Sequence, residues 1–225
     1  MPPLNVIQLR QLLREKFPGL RTRADELPAK TRDGWTAGLP QLDARLGGGF
    51  AKSAITEVIA ARGCGSALLL VHLLRHAAAT NQFMALVDGQ DSFDAAAVEQ
   101  SALSRLLWIR CSNADEAMKA IDLVLRDGNL PLVLLDLALN PEAQLRKIPA
   151  PTWYRFQRIV EESAAVFIVF TPRAMISPAQ ARVTLRSRFD LGALERTQDE
   201  LLRELEFQVT DARRIAADEP LRKSA

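Results

Sequence analysis

Short apolar segments alternate with amphipathic segments through the middle of this 225-residue chain, and this alternation constrains the fold more than any other feature. The apolar segments have the length of buried strands and cover residues 53–60, 82–88, 107–110, 130–135 and 165–170. The segments between them have helical length and spacing and cover residues 67–80, 94–106, 114–127 and 151–163. Strands that are apolar throughout and separated by helices are typical of a parallel sheet covered on both faces. The sequence therefore predicts an α/β fold with a mostly parallel sheet.

The pattern changes on both sides of this core. Residues 182–188 and 204–209 alternate as surface strands do, with a helical segment over residues 192–202, which predicts antiparallel strands added at the C-terminal edge. Near the N-terminus, residues 5–17 predict a helix with an apolar stripe formed by Val6, Leu9, Leu12 and Leu13. We therefore divide the chain into an N-terminal helix with a polar linker (1–34), a core (35–210) and a polar tail (211–225). The N-terminal helix is expected to be an arm that either folds onto the core or docks on a partner, and in the second case its stripe is the partner-binding surface.

A glycine-rich turn joins the first core strand to the first core helix. In this context the motif G-x-x-x-x-G-K-[ST] binds the phosphates of a nucleotide. The eight positions here are, in order, Ala60, Ala61, Arg62, Gly63, Cys64, Gly65, Ser66 and Ala67. Gly65 keeps the late glycine, but Ser66 replaces the lysine and Ala67 replaces the hydroxyl that contacts Mg²⁺. The sequence predicts a degenerate nucleotide-binding loop, and a plain turn between a strand and a helix is the alternative.

Charge and composition exclude several other classes of function. The net charge of +2 is too small to indicate a nucleic-acid or membrane surface by itself. Cys64 and Cys111 are too few for a disulfide framework or a zinc site, and with only His72 and His76 available no metal site is expected. The sequence shows neither a secretory signal nor an apolar run long enough to span a membrane, so a cytoplasmic location is expected.

Upstream of the loop, residues 36–50 read TAGLPQLDARLGGGF, and the strand AITEV follows at residues 54–58. From the residues alone, we expect a short helix followed by an unusual turn at the three glycines. The segment also closely resembles the opening of RecA-type recombinase cores, where Thr/Ser-Gly-hydrophobic-x-x-Leu-Asp-x-x-Leu-Gly-Gly-Gly precedes the first core strand. The resemblance extends over residues 35–209 and implies a RecA-like fold.

The same resemblance locates the positions of the catalytic groups. RecA-like cores carry Asp-x-Glu where this chain has Asp88, Gly89 and Gln90, and an amide cannot act as a general base at neutral pH, although it can orient a water. Asp136 ends the apolar segment LVLLD as a Walker B-like aspartate, for which metal binding and a structural role both remain open. We expect no ATP hydrolysis and no required cofactor, and weak ATP binding remains open.

Four arginines lie close together late in the chain, at Arg173, Arg182, Arg186 and Arg188, with no acidic residue between Thr171 and Arg188. The resemblance places a DNA-contacting loop here, which implies contact with single-stranded DNA through phosphates. Arginines on an edge strand are more often solvated and protect against aggregation, which is the alternative. The preceding strand ends in Thr171 and Pro172, where the family usually has a polar pair that senses the nucleotide, so this chain departs from the sensor pattern.

Among RecA-like proteins, the size and the degenerate loop are most similar to the ImuA family, the RecA-like accessory proteins of bacterial mutagenesis cassettes. This resemblance implies a non-hydrolysing role in SOS-induced translesion DNA synthesis, in the cytoplasm and at the nucleoid when active. The implied partners are the inactive Y-family polymerase-like protein ImuB, an error-prone replicative polymerase, RecA itself and, as a further expectation, single-stranded DNA. Two alternatives remain open: a DNA-dependent RecA/RadA-like ATPase with unorthodox catalytic residues, and a regulatory binder such as a cell-division inhibitor.

Overall fold

A computed structural model describes residues 34–211 of the chain. The helix predicted over residues 5–17, with its stripe of Val6, Leu9, Leu12 and Leu13, lies outside the described residues. The polar tail beyond residue 211 lies outside them as well.

Nine strands are present in the described part of the chain. They are β1 (Gly34–Trp35), β2 (Phe50–Ala51), β3 (Ala54–Ile59), β4 (Met84–Asp88), β5 (Leu106–Arg110), β6 (Leu132–Asp136), β7 (Val166–Thr171), β8 (Ala181–Leu185) and β9 (Phe207–Asp211). β1 and β2 form a short antiparallel pair, and the other seven form one sheet in the order β5–β4–β6–β7–β3–β8–β9.

The seven-stranded sheet is parallel except for its last strand, which confirms the predicted fold class. β3 lies between β7 and β8 and runs parallel to both. The antiparallel strand pair expected at the C-terminal edge is formed by β8 and β9. Of that pair, β8 joins the sheet as a parallel strand, so β9 alone runs against the others.

Helices cover both faces of the sheet, as the continuous apolar strands predict. The α-helices are α1 (Pro40–Leu46), α2 (Ser66–Ala79), α3 (Gln100–Leu103), α4 (Ala114–Asp127), α5 (Glu142–Leu145), α6 (Ala150–Glu161) and α7 (Gln198–Arg203). Two buried clusters result: one joins α1 and α2 to one face of the sheet, and the other joins α4 and α6 to the opposite face.

The glycine-rich segment before β3 forms the predicted helix and turn. α1 begins at Pro40, ends at Gly47 in the left-handed region (φ 76°), and the N–H of Gly48 donates to the carbonyl of Asp43 at 2.8 Å. Gly49 (φ 115°) passes so close to Trp35 that a Cβ would lie 2.4 Å from the Trp35 carbonyl oxygen. The turn therefore requires glycine and delivers the chain to β2 and then to β3.

The helix predicted over residues 94–106 is wrong in its extent. The structure has a 3₁₀ turn over Ala95–Ala97, then Val98 in an extended conformation (φ −126°, ψ 140°), then the single turn α3. The side chain of Val98 is buried against the core, and an extended backbone at this position accompanies that burial. Leu106 belongs to β5, so the strand begins one residue earlier than predicted.

Candidate functional site

The candidate site lies at the carboxyl edge of the parallel strands, where open α/β sheets bind their ligands. The degenerate loop follows β3, Asp88 ends β4, Asp136 ends β6, and Thr171 ends β7. Asp88 and Asp136 are register partners on adjacent strands. The sheet thus brings together the loop, the Walker B-like aspartate and the Gln90 segment, as the sequence predicts for a nucleotide-binding core.

The loop contains two left-handed glycines but lacks the charged side chain of a phosphate-binding turn. Gly63 (φ 77°) and Gly65 (φ 92°) adopt left-handed conformations, and α2 begins at Ser66. The first N–H groups of a helix have no intrahelical acceptor, so the start of α2 still offers donors to an anion. Ser66 and Ala67 line the adjoining cavity in place of lysine and hydroxyl, and neither neutralises phosphate charge.

The segment after β8 packs directly on this loop. The N–H of Phe189 donates to the carbonyl of Gly63 at 3.3 Å. A Cβ on Gly65 would lie 2.7 Å from Cδ1 of Leu205 and 3.0 Å from Cε2 of Phe189. The loop is therefore clamped from outside by apolar side chains of the C-terminal edge, a contact that the sequence gives no signal to predict.

A cavity of about 630 Å³ opens beside the loop. Among its lining residues, Arg62 is the one cation, whereas Asp94 and Asp136 are carboxylates. Phe93 and Leu139 belong to its largely apolar wall. A nucleoside triphosphate placed here would meet one positive and two negative side chains, which is the opposite of the balance that a triphosphate requires.

Asp136 lies partly buried at this cavity and has an unusual pKa. Desolvation by burial raises the pKa of Asp136 to about 6, the hydrogen bond from the Ala138 N–H (2.9 Å) acts in the opposite direction, and the charge of Asp88 raises it further. Its carboxylate oxygen serves as an acceptor that orders the turn after β6. This geometry fits the structural role left open by the sequence, and a metal-binding role stays a prediction.

Asp88 anchors the turn that carries Gln90. Its carboxylate is fully buried and accepts hydrogen bonds from the N–H groups of Phe93 (2.8 Å) and Ser92 (3.1 Å). The Gln90 side chain is exposed, and its Oε1 lies 3.4 Å from Nδ2 of Asn140. The same Asn140 nitrogen donates to the carbonyl of Gly89 at 2.8 Å. Asn140 thus ties the turn after β4 to the loop after β6, a role that sequence reasoning missed.

The four late arginines fall into two sets. Arg173 pairs with Glu142 (2.9 Å), and Arg182 pairs with Glu57 (2.8 Å), so a carboxylate already holds each of them. Arg186 and Arg188 are exposed beyond the end of β8. Direct contact of all four arginines with DNA stays a prediction, but the geometry leaves two of them available without breaking an ion pair.

Glu57 is the second residue that sequence reasoning missed. Its side chain is fully buried in the middle of β3, and besides Arg182 it accepts hydrogen bonds from the Thr171 hydroxyl (3.1 Å) and the N–H groups of Met175 (2.7 Å) and Ile176 (3.2 Å). A buried carboxylate requires such partners. The available signal was a glutamate inside a largely apolar strand, and this network holds Met175 and Ile176, in the segment after β7, against the sheet.

The two histidines support the glycine-rich segment before β3. Nε2 of His72 lies 2.8 Å from the carbonyl oxygen of Ala37, and His76 packs edge-on against Trp35 with ring centroids 5.5 Å apart. Desolvation lowers the pKa of His72 below its ordinary value. Within residues 34–211, no group of three or more His, Cys, Asp or Glu side chains is placed to hold a metal ion.

Comparison with known proteins places this arrangement among the RecA-like folds. No protein-family model matches the chain. The chain is 26% identical over 142 residues to Protein RecA of Streptomyces avermitilis, which covers 61% of this chain and 38% of that relative. It is 26% identical over 115 residues to DNA repair protein recA homolog 1, chloroplastic, of Arabidopsis thaliana, with 49% and 26% covered. The matches therefore span well under half of the length of these curated relatives.

A solved structure agrees with these relatives. The crystal structure of the RadB recombinase superimposes with a TM-score of 0.53 at 16% sequence identity, over 67% of this chain and 82% of that chain. At this level of identity the likeness concerns the fold. The chain has a RecA-like core. Within that core, no helix of the described residues is long and apolar enough to cross a membrane.

Proposed function

We propose that this chain is a RecA-like accessory protein that does not hydrolyse ATP and acts in damage-induced translesion DNA synthesis by binding partner proteins. The observation that carries the proposal is the loop after β3, which keeps the late glycine of the phosphate-binding motif as the left-handed Gly65 but has Ser66 and Ala67 where lysine and hydroxyl would act. A core of this kind keeps a folded surface that partner proteins can bind, although it has lost the side chains needed to hydrolyse ATP.

The chemistry of the cavity supports the absence of hydrolysis. Each lost charge-assisted hydrogen bond removes roughly 1.5–3 kcal/mol of binding free energy, so losing two weakens Mg-ATP binding on the order of a hundred-fold or more. The carboxylate of Asp136, with its pKa of about 6, adds repulsion against phosphate at neutral pH. Gln90 supplies an amide at the position of the base, and an amide does not accept a proton there.

The partners in this proposal are an ImuB-like inactive Y-family polymerase, an error-prone replicative polymerase and RecA. They come from the resemblance to the ImuA family, as does a bacterial cytoplasmic setting with recruitment to the nucleoid. Contact with single-stranded DNA is a secondary expectation. With Arg173 and Arg182 held by carboxylates, two exposed arginines remain, which predicts weak binding with a log–log salt slope of about −1.4.

A genetic experiment tests this function. The gene is deleted in the organism that encodes it, and mutation frequency is scored after ultraviolet damage alongside cell length. The proposal expects damage-induced mutation to fall to the uninduced level, with normal division, and restoration by the wild-type gene and by an Asp136→Ala allele. Unchanged mutation together with altered cell length would favour the cell-division regulator. Failure of the Asp136→Ala allele alone, with the variant protein present at the wild-type level, would favour the ATPase.

A further inference from the structure

Two neighbouring cavities form one groove at the C-terminal edge of the sheet. One has a volume of about 830 Å³ and the other about 310 Å³, and they share the lining residues Gln41, Arg203, Leu205 and Phe207. The groove runs between α1, the segment after β8, α7 and the start of β9. It lies on the outer side of the segment that clamps the degenerate loop, and it is separate from the cavity beside that loop.

The larger half of the groove is basic. Its cations are Arg45, Arg186, Arg188 and Arg203. Neither Arg188 nor Arg203 forms a salt bridge with a carboxylate of residues 34–211. Arg45 and Arg186 donate to neutral oxygens of Phe207 and Gln208. None of these four arginines is therefore held in a salt bridge by a carboxylate of residues 34–211, although the charge of Arg203 acts on the exposed carboxylate of Glu200.

Two carboxylates line the same half and do not cancel this charge. Glu204 is held by Arg196, whose Nη1 lies 2.6 Å from a Glu204 oxygen. Glu206 remains as a single negative side chain beside the four arginines. The four arginines of this half therefore attract an anionic group of a ligand.

The smaller half of the groove is apolar. Leu39, Pro40, Leu202, Leu205 and Phe207 line it, and of these Leu39, Leu202 and Phe207 are only partly buried. Asp199 is the carboxylate at its border. Aliphatic and aromatic walls of this kind take apolar side chains rather than phosphates.

We propose that this groove binds a short amphipathic acidic peptide of a partner protein, with its carboxylates on the arginines and its apolar side chains in the smaller half. Arginine and aromatic residues around a partly desolvated pocket are the usual anchors of such an interface. The inference rests on one part of the proposed function, which is that the chain acts by binding partner proteins. It adds which surface binds the partner and what kind of peptide segment that surface takes.

The charge distribution argues against two other occupants of the groove, namely a nucleic-acid strand and the terminal segments of this chain. A nucleic-acid strand carries a phosphate at every nucleotide and would lay part of this charged backbone on the apolar half of the groove beside Asp199, whereas a peptide places apolar side chains there. Weak contact of DNA with Arg186 and Arg188 alone leaves the apolar half unfilled. The parts of this chain outside the description are themselves basic: residues 1–33 hold seven Lys or Arg against four Asp or Glu, and residues 212–225 hold four against two. A partner segment with net negative charge complements the groove better than either.

Selection from a displayed library of short random peptides on the full chain tests the proposal. Recovered peptides are labelled, and their affinities are measured by fluorescence anisotropy. The expected sequences are enriched in Asp or Glu together with Leu, Ile, Met or Phe. Arg188→Glu and Arg203→Glu should each weaken binding by roughly tenfold or more, and Leu202→Gln should do so without a change of charge. Arg158→Glu, an exposed arginine on α6, is the matched control and should bind like the parent.

Other outcomes overturn the proposal. These are no enrichment, enrichment of basic peptides, or selected peptides that bind Arg188→Glu and Arg203→Glu as tightly as the parent. Binding that appears only after residues 212–225 are deleted would identify the tail as the occupant. Displacement of the peptide by oligo(dT) at physiological salt would identify a nucleic-acid site. Because the selection reads binding alone, a failure here is distinguishable from a failure of the mutagenesis experiment.

Discussion

Glu57 and Arg182 form an ion pair in which Nε of the arginine lies 2.8 Å from Oε2 of a fully buried carboxylate. The pair joins the interior strand β3 to its neighbour β8, and the Nη2 of Arg182 also donates to the carbonyl of Ile176 at 2.7 Å. Arg182 thus has a structural role: it connects β8 to β3 and to the loop after β7.

The first prediction concerns the stability that this pair provides. Arg182→Ala should lower the free energy of unfolding by roughly 3 kcal/mol, because it leaves the Glu57 carboxylate buried without its counter-charge. Arg186→Ala, the exposed neighbour, should change it by no more than about 0.5 kcal/mol. Urea denaturation of both variants measures the difference.

The same pair allows a second-site check. Glu57→Gln in the Arg182→Ala background removes the unpaired charge while keeping an acceptor for the N–H groups of Met175 and Ile176. The double variant should be more stable than Arg182→Ala alone. Equal stability of Arg182→Ala and Arg186→Ala would show that the pair contributes nothing.

The second prediction is a pH dependence set by Asp136. Its pKa is about 6 in the folded chain and about 4 in an unfolded one. A folded pKa above the unfolded value means that the parent loses stability as pH rises from about 4 to about 6 and levels off above that. Asp136→Asn cannot ionise, so above pH 7 it should be more stable than the parent, by at most about 3 kcal/mol.

Unfolding curves at acid and neutral pH measure this effect. The advantage of Asp136→Asn should shrink towards zero at about pH 4, where the parent carboxyl is protonated in the folded state. Asp94→Asn, at an exposed position in the same cavity, is the control and should show no comparable crossover. A variant advantage that is independent of pH would mean that desolvation of the Asp136 charge is not its cause.

The third prediction concerns the N-terminal segment, which lies outside the described residues. Its apolar stripe predicts an association surface, so deletion of residues 1–20 should weaken self-association or RecA binding and leave the melting temperature of the core unchanged. Light scattering and pull-down with purified RecA measure this. Full association after the deletion would mean that other surfaces mediate it.

Most of the fold was predictable because it depends on local patterns. Apolar runs such as residues 132–135 and 166–170 specify buried strands directly, and Gly47 and Gly49 specify a turn that other residues enter poorly. The structure of residues 94–106 could not be predicted from the sequence, because the burial of Val98 against the core is a tertiary effect that overrides helical spacing.

The candidate site was predictable in its positions but not in its surroundings. The loop, Asp136 and Gln90 lie at one sheet edge because parallel strands align their carboxyl ends. The clamp by Phe189 and Leu205 and the Asn140 bridge join segments that are distant in sequence, and no periodicity records them. Arg182 shows the same limit, since its partner Glu57 lies 125 residues earlier.

Phosphate release from Mg-ATP by the purified full chain, with and without single-stranded DNA, tests the central claim most directly. An active RecA serves as the positive control. We predict no release above background in either condition, and no difference between the parent and Asp136→Ala. Turnover by the parent that disappears in Asp136→Ala would contradict the account and identify the chain as an ATPase with unorthodox catalytic residues.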